Sequence, residues 1–305
     1  MARKVKVATV SMAHEFRKAK MKEDNLNYIS DTVKEISSIK PDIIALPEVF
    51  PLVGLEEKQK IQGQGKDLLL DLAKEYQTNI VGSIYEEREG KIYNTALVVN
   101  REGEIIGRYD KIHPTESELE KGIFPGPEDQ LPIMTDFGKI GVQICFDANW
   151  PEYWQKQVAD GAEMIIFPSA FPGGKILESI AILNTVYIVA AIWSLHSGII
   201  DNTGRWRVQT DRFSRWVWST IDLERTVFHW DYQGDKVKEI HKKYGDEIKI
   251  ETFGPEAWFA LEPEKTEISI SDVIKDFNLV TYRDYIKRAT IAQDKAANRD
   301  TTGSD

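Results

Sequence analysis

Three reactive side chains each follow a short segment with the pattern of a β-strand. Glu48 follows the apolar run of residues 43–47, Lys111 follows Arg-Tyr-Asp, and Cys145 follows residues 140–144. In open α/β sheets the carboxyl ends of strands border the binding crevice, so three such ends can converge on one site. The sequence therefore predicts a site that brings together a carboxylate, an ammonium and a thiol.

This combination is typical of covalent hydrolysis. A thiol near its usual pKa of about 8.5 is mostly protonated at neutral pH, and a carboxylate can take its proton as attack begins. Glu48 suits the role of general base, and Cys145 suits that of nucleophile. The tetrahedral intermediate carries negative charge, which a fixed ammonium and a backbone N–H near a helix N-terminus can stabilise. Lys111 and the amide of Phe146 suit that role.

The elements that must position these residues alternate along the chain. Apolar residues spaced three and four apart predict helices before Pro41, around residues 69–76, from Pro151 to Val158 with Asn149 as cap, and over residues 176–185. Apolar or alternating runs predict strands near the N-terminus and over residues 43–46, 80–85, 93–99, 104–109, 140–144, 164–167, 186–192, 198–201, 206–210 and 216–222. We expect an α/β fold, a layered sandwich with mixed sheets.

The composition disfavours several classes of protein. The 305 residues include 39 Lys plus Arg and 49 Asp plus Glu, and the formal net charge of −10 disfavours a nucleic-acid binder. The single cysteine cannot form an intramolecular disulfide, which excludes a disulfide-stapled secreted scaffold. No segment approaches the roughly 18 consecutive apolar residues of a membrane helix, and the N-terminus has the pattern of a strand instead of a signal peptide. We expect a soluble, cytoplasmic protein with no nucleic-acid or membrane partner.

The pattern changes near residue 223. Beyond it the alternation of strands and helices fades, charged residues become more frequent, and one helix is predicted near residues 283–297. We therefore expect a catalytic domain over residues 1–225 and a C-terminal extension over residues 226–305. The extension is expected to pack on the domain or across a subunit interface.

Three motifs resemble those of the carbon-nitrogen hydrolase, or nitrilase, superfamily. They are Leu46-Pro47-Glu48, Tyr109-Asp110-Lys111-Ile112-His113 and Gly141-Val142-Gln143-Ile144-Cys145-Phe146-Asp147, within a resemblance that extends from about Val5 to Arg225. The resemblance implies a four-layer αββα sandwich with two mixed β-sheets, assembled as a homodimer or larger homo-oligomer, with no cofactor. It also implies that Glu48 is the general base, that Lys111 stabilises the oxyanion and that Cys145 is the nucleophile.

The resemblance also implies a second catalytic carboxylate. Glu120 begins the segment Glu-Lys-Gly-Ile-Phe-Pro-Gly, which resembles the family's segment from that Glu to a Pro-Gly pair, and Glu118 and Glu116 are alternatives close by. Asn149 stands where many members carry an Arg, which weakens any expectation of specificity for a substrate carboxylate. The Phe-Asp pair after the cysteine is more similar to the amidase and carbamoylase branches than to nitrilases.

Further residues at or near predicted strand ends are candidates for substrate contact, although each could equally serve packing. The set comprises Asp147, Asn149, Trp150, Ser169, Ala170, Phe171 and Trp193. The two tryptophans indicate an acyl or amine portion larger than formamide.

Two other patterns have simpler interpretations. His113 could pair with Cys145 as in a thiol protease, but Pro114 and the neighbouring lysine favour a role in the structure of the loop. Cations and aromatics alternate over residues 205–218 and could stack single-stranded bases. In an acidic chain, a hairpin with cross-strand pairs is favoured instead.

The sequence supports one leading function and two alternatives. We expect a hydrolase of linear non-peptide carbon–nitrogen bonds, an amidase or N-carbamoyl amidohydrolase that acts on a small molecule through a cysteine thioester. A nitrilase is the alternative in the same class, and a catalytically silent interaction protein is the alternative from another class. His14-Glu15 begins like a zinc-binding helix motif, but Lys18 stands where the second His is needed, so no metal site is expected.

Overall fold

The computed structural model describes residues 2–13, 24–51 and 58–299. The chain divides into two compact units, one of Val5–Ile221 and one of Met1–Lys4 together with Asp222–Asp305. The larger unit contains all three motifs that end in Glu48, His113 and Asp147. His14 and Glu15, which begin like a zinc-binding helix motif, lie outside the described residues.

The larger unit alternates strands and helices as its sequence pattern predicts. Its strands are β1 (Lys4–Val10), β2 (Ile43–Ala45), β3 (Asn79–Arg88), β4 (Lys91–Val99), β5 (Ile105–Asp110), β6 (Ile133–Met134), β7 (Lys139–Val142), β8 (Met164–Ser169), β9 (Tyr187–Ile192), β10 (Gly198–Ile200), β11 (Trp206–Gln209) and β12 (Trp216–Asp222). Its helices are α1 (Asp24–Ser37), α2 (Lys58–Tyr76), α3 (Glu116–Glu120), α4 (Pro151–Ala159) and α5 (Lys175–Asn184). A short 3₁₀ helix, Cys145–Asn149, follows β7.

The strands form two six-stranded mixed sheets. The first has the order β12-β1-β2-β3-β4-β5, and the second has the order β11-β10-β9-β8-β7-β6. In the first sheet β1, β2 and β3 are parallel, with Ile44 in register with Ala8 and Ile80, and β4 and β5 continue it antiparallel. In the second sheet β7, β8 and β9 are parallel, with β6, β10 and β11 antiparallel at its margins. Glu48 and Lys111 therefore follow strands β2 and β5 of the first sheet, and Cys145 follows strand β7 of the second.

The two sheets lie face to face, and helices cover both outer faces. Thr9 of β1 donates a hydrogen bond of 2.8 Å to the carbonyl of Ala190 in β9, which joins the sheets directly. Apolar residues of α1 and α2 pack with β1 to β4 in one buried cluster, and those of α4 and α5 pack with β8 and β9 in another. Because both faces of the central strands are covered, β2, β8 and β9 are almost entirely apolar. The predicted αββα sandwich is confirmed.

Two local predictions for the larger unit are wrong. The residue that precedes α4 as its cap is Trp150, because Asn149 is the last residue of the 3₁₀ helix. Residues 206–222 do not form a hairpin, because β11 joins the second sheet while β12 joins the first. Alternation of cations and aromatics is typical of any half-exposed edge strand, so it could not show which partner each strand pairs with.

The smaller unit contains more regular structure than the sequence predicts. Its strands β13 (Thr226–His229), β14 (Ile248–Phe253) and β15 (Trp258–Pro263) form an antiparallel sheet in the order β13-β15-β14. Helices α6 (Lys236–Tyr244) and α7 (Ile270–Phe277) accompany the predicted C-terminal helix, α8 (Tyr282–Ala296). Phe228 and Phe259 stack at 5.1 Å in its own apolar cluster. The expectation of a single helix is wrong: β13 has only four residues, and both β14 and α6 carry charged residues between their apolar ones.

No helix in the described ranges is long and apolar enough to cross a membrane.

Helix α5 offers a matched test of the packing in the larger unit. Leu177 is fully buried against the second sheet, whereas the Leu183 side chain, on the same helix, is 70% exposed. We expect Leu177→Ala to lower the free energy of unfolding by about 2–5 kcal/mol, because the cavity adds to the lost burial. Leu183→Ala should change it by about 0.5 kcal/mol at most. Urea denaturation measures both, and equal effects would contradict the packing.

Candidate active site

Glu48 is held in place by three hydrogen-bond donors. It follows β2 at the carboxyl end of the parallel strands and is almost completely buried. Its Oε1 accepts hydrogen bonds from Asn94 Nδ2 at 2.8 Å and Lys111 Nζ at 2.9 Å, and its Oε2 accepts one from the amide of Ala170 at 2.9 Å. Burial of a carboxylate is costly unless such donors satisfy its oxygens. The geometry therefore fixes both oxygens of a group that can act as a base.

Lys111 follows β5, and its side chain is 1% exposed. Its Nζ lies 2.9 Å from Glu48 Oε1 and 2.7 Å from Glu118 Oε2. Burial alone would lower the pKa of Lys111, but the negative charges of Glu48 and Glu118 raise it above its ordinary value. Lys111 is therefore a permanent cation at neutral pH, fixed between two carboxylates.

Cys145 lies at the sharp junction between β7 and the 3₁₀ helix. It is buried, and its φ of +48° is in the left-handed region that residues other than glycine rarely occupy. Burial, followed by the negative charge of Glu48, raises the pKa of the thiol to about 12, although Lys111 lowers it. The group is thus a neutral thiol at neutral pH, within hydrogen-bonding reach of Glu48. Attack by this sulfur requires a base that takes the proton during the reaction.

A second strained residue borders the same region. Val49 has a φ of +42°, which is an outlier for a β-branched residue, and its N–H donates a hydrogen bond of 2.6 Å to Ser83 Oγ. Trp193 donates a further bond from its indole N–H to the carbonyl of Glu48. Backbone strain of this kind persists where the surrounding contacts over-determine the conformation, and it clusters at functional sites.

Glu48, Lys111 and Cys145 line one pocket of about 210 Å³. The described residues that complete its wall are Val49, Tyr85, Thr115, Glu118, Ala170 and Trp193. Burial, then the charges of Glu118 and Glu48, raises the pKa of Tyr85 to about 12, so its phenol stays protonated. The pocket therefore presents two carboxylates, one ammonium, a neutral thiol and a phenol to a small molecule.

The structure replaces Glu120 with Glu118 as the second carboxylate of the site. Glu120 is exposed at the end of α3 and does not line the pocket in the described part of the chain. Glu118 is the third residue of α3 and forms a capping box with Thr115, whose N–H lies 2.8 Å from Glu118 Oε2. Burial would raise the pKa of Glu118, but Lys111 lowers it below the ordinary value. Glu118 lines the pocket and Glu120 does not, because residues two apart on a helix face different directions.

Asp147 was predicted to contact substrate, but its carboxylate points away from the pocket into the protein. It is fully buried, and its Oδ2 accepts hydrogen bonds from the N–H of Ile144 and the hydroxyl of Tyr109, both at 3.0 Å. Its Oδ1 lies 2.8 Å from the N–H of His113 and 3.0 Å from the Nδ1 of the same residue. Asp147 thus ties the turn that bears Cys145 to the segment that follows β5.

Four other predicted contacts also lie outside the described lining of the pocket. Asn149 is exposed and donates to the carbonyl of Phe146 at 3.0 Å, and Trp150 stacks on His113 with ring centroids 3.8 Å apart. The Ser169 hydroxyl bonds the N–H and carbonyl of Phe171, whose ring packs against Phe167. These side chains bond or pack against neighbouring loop residues, and their contact with substrate stays a prediction. Ala170 and Trp193 do line the pocket.

His113 faces Asp147 and Trp150 instead of the thiol. The structure thus gives no support for a Cys-His pair. Among residues 2–13, 24–51 and 58–299, no group of three or more His, Cys, Asp or Glu side chains could hold a metal ion.

The sequence interpretation missed Asn94 entirely and did not select Tyr85 or Thr115. Asn94 is a fully buried polar residue in β4, followed by the apolar run Ala96–Val99. A polar residue inside a strand of this kind is a signal for a specific hydrogen-bonding role, since an unpartnered one would be costly. Thr115 and Glu118 also have the spacing of a capping box, which the sequence shows directly.

Comparison with known proteins places the chain in a family. Residues 6–229 match the family model Carbon-nitrogen hydrolase, so the chain belongs to the carbon-nitrogen hydrolase family. Omega-amidase NIT2-B of Xenopus laevis is 32% identical over 170 residues, which are 52% of this chain and 62% of that protein. The match thus spans less than two thirds of the length of that relative.

Solved structures show the same fold. The carbon-nitrogen hydrolase from Helicobacter pylori G27 superposes with a TM-score of 0.66 at 19% identity and covers 79% of this chain and 93% of that one. Nit3 of Saccharomyces cerevisiae, a member of branch 10 of the nitrilase superfamily, gives 0.63 at 22% identity and covers 79% and 94%. The resemblance to the nitrilase superfamily is confirmed.

Denaturation of a variant at Asp147 tests whether this residue stabilises the turn instead of contacting substrate. We expect Asp147→Asn to lower the free energy of unfolding by roughly 2–5 kcal/mol, because an amide cannot accept all four hydrogen bonds of the buried carboxylate. Asp129→Asn, at an exposed position, should leave stability unchanged. Thermal and urea denaturation measure both variants. Unchanged stability of Asp147→Asn would show that the carboxylate does not hold the turn.

Proposed function

We propose that the protein hydrolyses the carbon–nitrogen bond of a short linear amide or N-carbamoyl compound through a thioester on Cys145. The observation that carries the proposal is the convergence of Glu48, Lys111 and Cys145 on one small pocket, with the lysine ammonium 2.9 Å from the glutamate. The family supports carbon–nitrogen bond hydrolysis, and the similarity to an omega-amidase favours an amide as substrate.

In the first half of the reaction, Glu48 takes the thiol proton while the sulfur attacks the carbonyl carbon. The developing oxyanion receives hydrogen bonds from Lys111 and from the N–H of Phe146, which follows the nucleophile in the 3₁₀ helix. The intermediate collapses, the carbon–nitrogen bond breaks, and Glu48 returns its proton to the departing nitrogen. Ammonia or an amine leaves, and the acyl group remains on Cys145.

In the second half, water enters and Glu48 removes one of its protons as the oxygen attacks the thioester carbon. The same two donors stabilise the second tetrahedral intermediate. Its collapse breaks the carbon–sulfur bond, and the sulfur recovers the proton from Glu48. The net reaction consumes one amide and one water and gives one acid and one ammonia or amine.

Glu118 has two roles in this proposal. Its Oε2 lies 2.7 Å from the ammonium of Lys111, which it shares with Glu48. As a residue of the pocket wall it can also accept an N–H bond from the substrate amide group, which orients the leaving nitrogen. A nitrile offers no such N–H group, so this geometry favours an amide over a nitrile.

The remaining expectations from the sequence continue as proposals. We infer that the protein acts on a small molecule without a nucleic-acid or membrane partner, assembles as a homodimer or larger homo-oligomer, and is cytoplasmic. The smaller unit is proposed to serve that assembly. The mass of the native protein in solution, with and without the residues after Leu223, measures the assembly directly.

Ammonia release from a panel of short amides, ureido acids and nitriles tests the proposed activity. We expect turnover of one or more amides or ureido compounds, none of the nitriles, and loss of turnover in Cys145→Ala. Intact-mass analysis of the slow variant Glu48→Gln should show an acyl group on Cys145 during reaction. Turnover that survives in Cys145→Ala would refute the thioester, and inactivity across the panel would favour the interaction protein.

Glu118 and Glu120 lie on the same short helix, so substitution of each in turn tests which of them is the second carboxylate of the site. We expect Glu118→Gln to lower kcat/KM by about a hundredfold, because it removes one of the two charges that fix the buried ammonium. Glu120→Gln alters an exposed residue of the same helix and should stay within about twofold of the native value. Steady-state rates with the best amide measure both. The reverse order would restore Glu120 as the second carboxylate.

A further inference from the structure

We propose that Asn94 is a positioning residue for the hydrolysis, one that holds Glu48 and Glu118 in their working arrangement. The inference rests on the proposed function, since it assigns a role within that same site. Asn94 has no exposed surface and lies in β4, opposite Tyr85 of β3. It is absent from the pocket wall formed by the described residues, so its action on substrate is indirect.

One residue contacts three of the groups that the reaction needs. Asn94 Nδ2 donates hydrogen bonds to Glu48 Oε1 at 2.8 Å and to Glu118 Oε1 at 3.4 Å. Its backbone carbonyl accepts the N–H of Lys111 at 2.9 Å. The side chain of Asn94 therefore bridges the two carboxylates, while its backbone fixes the residue whose ammonium lies between them.

The charges around this bridge explain why a neutral donor is useful there. In the part of the chain that the structure describes, the charged and titratable groups around Glu48 include Lys111, Cys145, Tyr85 and Glu118. Two carboxylates share one ammonium, and like charges close together disfavour ionisation of both. An amide N–H stabilises the ionised form of each carboxylate without adding a second cation that would compete for the oxyanion.

The cost of an asparagine at this position also argues for a specific role. Its Oδ1 is buried and has no hydrogen-bond partner among the described residues, which is unfavourable. An apolar β-branched residue would suit a buried strand better if packing were the sole requirement. The N–H group is thus the part of the side chain that the site uses.

Two substitutions of Asn94 distinguish the effect of its N–H donor from the effect of the shape of its side chain. Asn94→Asp keeps the shape, removes the N–H donor and adds a third carboxylate, whereas Asn94→Ala removes the side chain without adding charge. We expect kcat to fall about tenfold or more in Asn94→Ala, with KM within about threefold and the acid limb of the pH profile about one unit higher. Asn94→Asp should lose more activity than Asn94→Ala at neutral pH and shift the acid limb further. A purely structural residue predicts the opposite order.

The matched control is Asn79→Ala, which removes another buried strand asparagine. Asn79 donates to the carbonyl of Asp42 and to Asp136 at the far end of the strands. We expect this variant to lose stability but to keep the native pH profile. A pH profile that moves equally in Asn79→Ala would show that destabilisation, and not positioning, causes the shift.

Alkylation of Cys145 by iodoacetamide gives a second measurement that does not depend on the proposed activity. The chain has a single cysteine, so the modified mass reports this thiol alone. We expect the alkylation rate to fall in the order native, Asn94→Ala, Asn94→Asp. That order in a protein that releases no ammonia would support the positioning role and refute the amidase. If both variants are alkylated at the same rate as the native protein and keep its pH profile of activity, the role of Asn94 itself is refuted.

Discussion

The buried ammonium of Lys111 between two carboxylates is the interaction on which the rest of the site depends. A charge that is 1% exposed cannot be hydrated, so Glu48 at 2.9 Å and Glu118 at 2.7 Å must compensate it. Removal of one partner of a buried ion pair typically costs about 3–5 kcal/mol, because the other charge is left without compensation. The three residues come from the ends of β2 and β5 and from α3, and the ionic cluster requires these elements to meet at fixed distances.

The nucleophile depends on the same cluster and on a backbone that the fold forces into strain. Cys145 has a φ of +48° and Val49 one of +42°, at two turns that both line the pocket. The hydrogen bonds of Asp147 hold the first turn from inside the protein, and Ser83 holds the second. The thiol remains neutral because it is buried beside Glu48, so the proposed attack requires that carboxylate to remove the proton. A reactive group without standing thiolate is protected from indiscriminate modification.

The convergence of Glu48 and Cys145 was predictable from topology, because both follow parallel strands, β2 and β7, whose apolar pattern is clear and whose carboxyl ends border the crevice. Lys111 follows the antiparallel β5, so its place in the site was indicated by the family motif instead. The choice between Glu118 and Glu120 was decided by the direction of side chains on one short helix, although the capping box of Thr115 and Glu118 was a usable signal. Asp147 was misjudged because a 3₁₀ helix turns its side chain inward, and strand patterns do not predict that turn. In the smaller unit, β13 has only four residues and β14 carries Lys249 and Glu251, so both have weak strand patterns. The buried apolar run of residues 258–261 in β15 was a usable signal.

The central claim is that Glu48 and Lys111 act on Cys145 as one unit. A double-mutant cycle on the acylation rate tests it most directly, with single-turnover rates measured for Glu48→Gln, Lys111→Met and the double variant. Groups that act together show losses that do not add, so the double variant should be about as slow as the slower single variant. Losses that multiply across the two substitutions would contradict the account, because they would show two independent contributions instead of one coupled charge cluster.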